Sequence, residues 1–477
     1  MSFPFKSPPM EHQVRALKKA WPHKHYALFH SMGAGKTFAA INLAAARFMA
    51  KQIDRVLVVC PTPIKSVWSK EMAKWAPCDV DPFILESGQD KALDRWISNK
   101  SDALRVLCVG IEALSQGKAA DLAEKFVKEG TCMMIVDESS KIKTHSATRT
   151  KKCITLGSLS EYRLILTGTP VTQGLHDLFA QMQFLHAGIL NCKSYFQFKN
   201  MYCVMGGFEN RSIIGYQRRE ELMELISPYV DVVTKEDALP DLPPKVYQTI
   251  EVELTKEQKV AIEELKQIMR TESEGKELTV NTVLERLTRY QQIIGGNFPF
   301  NDEETGGYGV TPIPGKNPKL DALVELIEPL EGEKVIIWAR FRPELQAISE
   351  RLASIYGKEA VAQFWGDISP QDRSAFTDLF QQRGSGPRFM VSNQSVGGMG
   401  QTWTAATVVV YFSNSFSYED RMQSEDRAHR KGQENKVAYF DLVANHPADK
   451  MVVKALAKKG DVAGYVTSSL KDEEWIK

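Results

Sequence analysis

Three short stretches carry residues suited to binding and cleaving a phosphoanhydride. SMGAGKT, Ser31 to Thr37, follows the apolar run Tyr26 to Phe29 and precedes the helical run FAAINLAAARF. In Gly33, Ala34 and Gly35 the backbone N–H groups can approach phosphate oxygens, and the helix N-terminus adds positive potential. Lys36 is placed to reach the β- and γ-phosphates and Thr37 to ligate Mg²⁺, so ATP and Mg²⁺ are the expected cofactors. His30 stands where the usual spelling of this loop has its first glycine, and a plain Gly-rich turn is the alternative. The second stretch is the run MMIV, which ends in Asp137-Glu138-Ser139-Ser140. Asp137 would hold the Mg²⁺ water shell, and Glu138 would orient or deprotonate the attacking water. A solvated pair at a strand end is the alternative there. The third, QSEDRAHRKGQ, sets Arg427 and Arg430 three residues apart, on one face if helical. An exposed charged helix explains them equally simply. A transferring phosphoryl group needs positive charge, however, and the first half offers no obvious source. Thr167, Gly168 and Thr169, directly after the apolar LIL, could sense the γ-phosphate state.

Elements that position these residues recur in both halves. Apolar runs YALF, VLVVC, VLCVG, MMIV and LIL, then VIIW, FMV, VVVYF and VAYFDLV, alternate with helical-period segments. That order predicts an α/β fold of two parallel-sheet domains with ligands at the carboxyl ends of the strands. Between them, Glu257 to about Met269 and Val280 to Ile294 (Val280, Val283, Leu284, Leu287, Ile294) have helical spacing, with Gly295 and Gly296 as the stop. The stretch 301 to 318, rich in Gly, Pro and acids, is expected to be a mobile loop. The expected division is 1–235, a linker and helical insertion 236–318, and 319–477.

A chain of 477 residues is long enough for such domains. Its net charge of +1 neither marks nor excludes a nucleic-acid partner. The 7 cysteines form no CxxC pair, which argues against a zinc site or a disulfide framework. No apolar run approaches the length that spans a bilayer, and MSFPFKSPPM lacks an export signal's apolar stretch. A reducing cytoplasm is the expected location.

Together these segments resemble the superfamily II helicases and translocases, specifically the Swi/Snf-like branch related to chromatin remodellers. MEHQVRALKKAW places Gln13 where that family has its adenine-reading glutamine. VLVVCPTPIKSVWSKEMAKW, DESSKIK, LTGTPVTQGLHDLFAQMQFL, NPKLDAL, KVIIWARF, FWGDIS, FMVSNQSVGGMGQTW and QSEDRAHRKGQ follow in family order. The resemblance implies two RecA-like lobes with ATP hydrolysed at the cleft between them, Arg427 and Arg430 acting from the second lobe. Thr167, Gly168, Thr169 and Gln423 would couple hydrolysis to motion. DNA, by preference duplex, would be contacted through its phosphates by Thr62, Lys65, Gly110, Gly366, Ser392, Asn393, Gln394, Gly398 and Gly400. Lys141 and Lys143 could instead support the lobe internally. A monomer, compact and of bacterial or bacteriophage type, is the implied form. Departures exist: Ser139 and Ser140 replace the usual Ala-His, and Ser140 calls into question the usual polar link to the coupling segment. Gln401 and Thr402 stand where Asn-Leu is common, and YFSNSF replaces an Asp-containing strand end. Duplex translocation, strand separation or branch migration with a wedge in the helical insertion, and ATP-gated DNA binding with little turnover all remain open. An unrelated P-loop kinase would not need the second lobe.

Overall fold

The apolar runs of the first half become the interior strands of one parallel sheet. A computed structural model of the protein describes residues 3–207, 209, 212–273, 280–302, 307–398 and 401–471. The backbone divides into two compact units, one formed by the chain up to Pro240 with the stretch from Lys459, the other by Asp241–Lys458.

In the first unit the strands are β1 (His25–His30), β2 (Arg55–Cys60), β3 (Val80–Ile84), β4 (Leu104–Gly110), β5 (Cys132–Asp137) and β6 (Tyr162–Leu166). An antiparallel hairpin follows, β7 (Cys203–Gly206) with β8 (Ser212–Tyr216), and then β9 (Val230–Val233). The sheet order is β3-β4-β2-β5-β6-β1-β9, every pair parallel. Helices cover both faces, so alternate side chains of one strand enter different cores: Leu57 and Val59 one cluster, Val56 and Val58 the other. Burial on both faces is why these strands read as continuous apolar runs. Each such side chain contributes roughly 1.5–3 kcal/mol through burial.

The second unit has β10 (Lys245–Val252), the antiparallel pair β11 (Asn297–Asp302) and β12 (Gly307–Pro312), then β13 (Lys334–Trp338), β14 (Val361–Phe364), β15 (Phe389–Ser392), β16 (Ala406–Tyr411) and β17 (Val437–Ala444). Its parallel sheet runs β10-β17-β16-β13-β15-β14. The helices Lys256–Ser273 and Val280–Ile294 lie where the spacing predicts, although the side chains of Val280, Val283 and Leu284 lie outside the described ones. Gln258 ties the two helices together, donating from Nε2 to the carbonyls of Ile293 and Ile294 at 3.1 Å each. Gly296, at φ +96°, ends the second helix. The expectation of a loop from 301 to 318 needs correction: residues 307–312 pair with 297–302 as a hairpin, and Phe298 and Ile313 pack on the core of the helix pair. Residues 303–306 lie outside the described set. No helix among the described residues is long and apolar enough to cross a membrane.

A buried carboxyl gives the second unit a pH signature. Glu344 is 1% exposed, with Oε2 accepting from Ser413 and the Phe341 N–H and Oε1 without a hydrogen-bond partner among the described residues. That Oε1 sits 2.2 Å from where a Cβ at Gly295 would be, so only glycine fits there. Burial raises the Glu344 pKa to about 7, opposed by the Ser413 hydroxyl and the Lys319 charge. The folded protein therefore keeps a proton that the unfolded chain has released, and stability falls as pH rises from about 4.5 to 7, levelling above. We expect Glu344→Gln to flatten the decline in melting temperature between pH 5 and 7.5. An undiminished decline in that variant would assign the pH effect to other groups.

Candidate functional site

The Ser31–Gly35 loop joins β1 to the helix Lys36–Met49. The Ser31 N–H donates to Val233 O at 2.8 Å, anchoring the loop on β9. Gly33 and Gly35 have φ of +82° and +74°, the left-handed region that side chains avoid. A Cβ on Gly35 would lie 2.3 Å from Gln13 Nε2. That amide donates to Gly35 O at 3.3 Å, while Gln13 Oε1 accepts from the Met10 N–H. Ala34 is buried, its carbonyl 2.7 Å from His12 Nε2, and Thr37 is half-buried in the first helical turn. Lys36 Nζ donates to His30 O at 3.0 Å, folding back across the loop.

β5 brings the acids to the same end of the sheet. Asp137 is buried; its Oδ2 accepts from Trp68 Nε1 at 2.8 Å and its Oδ1 from the Glu138 N–H at 3.0 Å. Burial raises the Asp137 pKa, and the nearby Lys36 charge and these two N–H groups oppose the rise. Glu138 takes φ +52°, a conformation costing a non-glycine residue about 1–2 kcal/mol. It ends the strand and starts the short turn Ser139–Ile142.

β6 delivers Thr167, Gly168 and Thr169 against the loop: a Cβ on Gly168 would meet Met32 N at 3.2 Å and His30 O at 3.4 Å. Thr167 Oγ1 accepts from the Thr169 N–H, and Thr169 Oγ1 is buried without a hydrogen-bond partner among the described residues. The altered acidic turn keeps a polar link to this segment, through Ser139. Its Oγ donates to Gln181 Oε1 at 2.7 Å, and Gln181 Nε2 donates to the carbonyls of Pro170 and Asp177. Lys143 Nζ donates to Thr172 Oγ1, inside the unit.

Sequence reading missed the residues beneath the loop. His30 Nε2 lies 2.8 Å from Asp231 Oδ2 on β9, with both side chains buried. Asp231 Oδ1 also pairs with Arg15 at 3.4 Å. Burial lowers the His30 pKa, with Asp231 partly opposing. His12 and Gln181 were missed as well, and Trp68 was legible as part of VLVVCPTPIKSVWSKEMAKW but not as the partner of Asp137. Their partners are far away in sequence, and no local pattern marks them.

In the second unit the helix Tyr418–Glu425 stops short of the arginines, so they are not paired by helical spacing as the sequence implied. They follow in turns and converge because both donate to one carbonyl, Gln401 O, at 2.6 Å from Arg427 and 3.0 Å from Arg430. Arg427 also donates from Nε to Gln423 O. The Arg430 pKa is lowered by burial, with Asp426 opposing. Gln423 is buried and donates to Glu419.

The expected DNA contacts divide. Thr62 is exposed, its N–H and Oγ1 both donating to Glu112, and a Cβ on Gly110 would strike Thr62 Oγ1 at 2.5 Å. Gly366 is exposed with open space around it. Two residues turn their polar groups inward. Lys65 is buried, its Nζ held by Leu85 O at 2.7 Å and Glu86 at 2.8 Å. Ser392 is buried, its hydroxyl donating to Phe364 O. Neither presents its polar group at the surface. Asn393 is half-buried, with Nδ2 on Ser395, and Gln394 Oε1 accepts from the Ser415 N–H. Asn393 Oδ1 and Gln394 Nε2 have no hydrogen-bond partner among the described residues. Gly398 packs against Gln394 O; Gly400 lies outside the described residues.

A phosphate loop and acidic turn on one parallel sheet and paired arginines on another define a helicase-like ATPase core of two RecA-like lobes. Comparison with known families agrees: the SNF2-related domain matches residues 12–296 and the helicase conserved C-terminal domain residues 318–432. The chain belongs to the SNF2 family. It is 26% identical over 455 residues to the human "DNA annealing helicase and endonuclease ZRANB3", covering 93% of this chain and 39% of that one. To the "Transcription regulatory protein SNF2" of Saccharomyces cerevisiae it is 24% identical, covering 94% and 27%. The chain thus spans less than half the length of these relatives. Among solved structures, the "Sulfolobus solfataricus SWI2/SNF2 ATPase core in complex with dsDNA" is 22% identical, covers 99% of this chain and 97% of that one, and has a TM-score of 0.44.

Proposed function

We propose that the protein is an ATP-dependent DNA translocase that tracks on duplex DNA. The observation that carries this reading is the gathering of the phosphate loop, Lys36, Asp137 and Glu138 at one end of a parallel sheet in a chain of the SNF2 family. The glycine conformations at 33 and 35 and the unpartnered Thr169 hydroxyl beside the loop fit a triphosphate. Lys36 would leave His30 O for the phosphates, and Thr37 and Asp137 would hold Mg²⁺, which when bound neutralises phosphate charge. Glu138 orients or deprotonates the attacking water, Gln13 reads the base, and Arg427 and Arg430 stabilise the transferring phosphoryl group from the second unit. Thr167, Gly168, Thr169 and Gln423 couple turnover to motion. Thr62, Gly110, Gly366, Asn393, Gln394 and Gly398 meet DNA phosphates, a sequence-independent mode. The human relative's name, a DNA annealing helicase, supports DNA as the partner.

Steady-state ATP hydrolysis with no nucleic acid, single-stranded DNA, duplex DNA or RNA at fixed salt tests this. We expect duplex DNA to stimulate most. If no nucleic acid stimulates, the translocase reading fails and an ATP-gated binding module takes its place. ATP-dependent release of a labelled strand from a fork, rather than displacement of a triplex strand, would favour strand separation.

A further inference from the structure

The chain enters the second unit at Asp241 and within a few residues becomes the edge strand β10. Contacts from three residues tie this entry to the segment carrying the arginines. Pro243 O lies 2.6 Å from Nε2 of His429, the neighbour of Arg430. Lys245 Nζ donates to Glu425 Oε2 at 2.7 Å and lies 3.9 Å from Oδ1 of Asp426, the neighbour of Arg427. Tyr247, although 55% exposed, ends its hydroxyl on the same Glu425 Oε2 at 2.7 Å.

Glu425 is 3% exposed and saturated with donors, its Oε1 accepting from Arg421 Nε at 2.8 Å. Burial by itself would raise its pKa; Lys245 and Arg421 outweigh that and hold it at about 2. Backbone pairing with β17 already fastens β10 into the sheet. A buried ion pair is weak evidence for stability, because desolvation offsets much of its attraction, but it does hold one geometry. Arg430 and a terminal nitrogen of Arg427 in turn both donate to Gln401 O. The arginine segment is therefore set between Gln401 and the entry strand.

We infer that Lys245, Tyr247 and Glu425 are positioning residues that pass any displacement of the chain at 241–247 to Arg427 and Arg430. The inference rests on the reading above that these arginines stabilise the phosphoryl group. Through it, the point where the chain passes from one unit to the next controls hydrolysis.

The test uses the whole protein with Tyr247→Phe, Lys245→Met and the conservative Lys245→Arg. The first readout needs no nucleotide: amide hydrogen exchange across residues 421–433 should quicken several-fold in Tyr247→Phe and Lys245→Met and return toward wild type in Lys245→Arg. In the second, DNA-stimulated kcat should fall about tenfold with KM for ATP unchanged, the signature of a misplaced group rather than lost binding. Should Lys245→Met fold poorly, Tyr247→Phe, which removes one hydroxyl from an exposed ring, carries the test. Unchanged exchange and unchanged kcat overturn the inference. Arg430→Ala measured alongside separates the two failures. If it stops turnover while the positioning variants behave as wild type, only the coupling is wrong; if it turns over normally, the arginine reading falls and the coupling with it.

Discussion

Glu138→Gln protein should hydrolyse ATP roughly 10²- to 10⁴-fold more slowly than wild type, the range lost with a general base, while still binding ATP. The substitution preserves side-chain size and removes the carboxylate at the one residue of the acidic turn held in the left-handed region. Asp137 differs in kind. Both its oxygens already accept hydrogen bonds, from Trp68 and the Glu138 N–H, which suits a fixed metal ligand better than a group exchanging a proton. Lys36→Ala should also abolish turnover, by removing the charge that acts on Asp137 and is proposed to reach the phosphates. Single-turnover hydrolysis with DNA present is the measurement. Wild-type rates in either variant would remove these residues from the site.

The second large effect belongs to Arg430→Ala. A guanidinium has five N–H donors, and among the described residues Arg430 makes one hydrogen bond, to Gln401 O. Its remaining donors are available to a phosphate. Arg427 is held more tightly, 5% exposed and bonded to both Gln401 O and Gln423 O, so its removal would disturb the local fold as well. Arginines in this role contribute roughly 10³- to 10⁵-fold to turnover. We expect a loss of that order in Arg430→Ala with nucleotide affinity changed little, measured by titrating a fluorescent ATP analogue. Weakened binding with an intact rate at saturation would make Arg430 a binding residue.

The strands legible in the sequence were the central ones. Buried on both faces, β2, β4, β5, β13 and β16 are continuous apolar runs. Of the strands in the two parallel sheets, those missed, β3, β9, β10 and β14, are the edges; the hairpins β7–β8 and β11–β12 were missed too. β3 carries Pro82, tolerated where no neighbour needs its N–H. β10 is largely exposed, while β9 and β14 are four residues long and interrupted by Asp231 and Gln363. The site was legible to the same extent and for a related reason. A phosphate loop, an acidic strand end and a run of arginines are local spellings. The groups that hold them, such as His30 with Asp231 or Ser139 with Gln181, meet only through the fold. Arg427 and Arg430 show the limit in another way, since their proximity comes from a shared carbonyl acceptor in a turn.

The pairing of β10 with β17 also bears on how the protein is made. Lys245 pairs in register with Val437, so the first strand of the second sheet leaves the ribosome long before its sheet neighbour exists. At roughly 5–20 residues per second that wait is about 10 to 40 s. Throughout it, the nascent β10 and the helices that follow it have no finished sheet to join. Translation speed across residues 253–436 should therefore influence yield more than speed across residues 1–240.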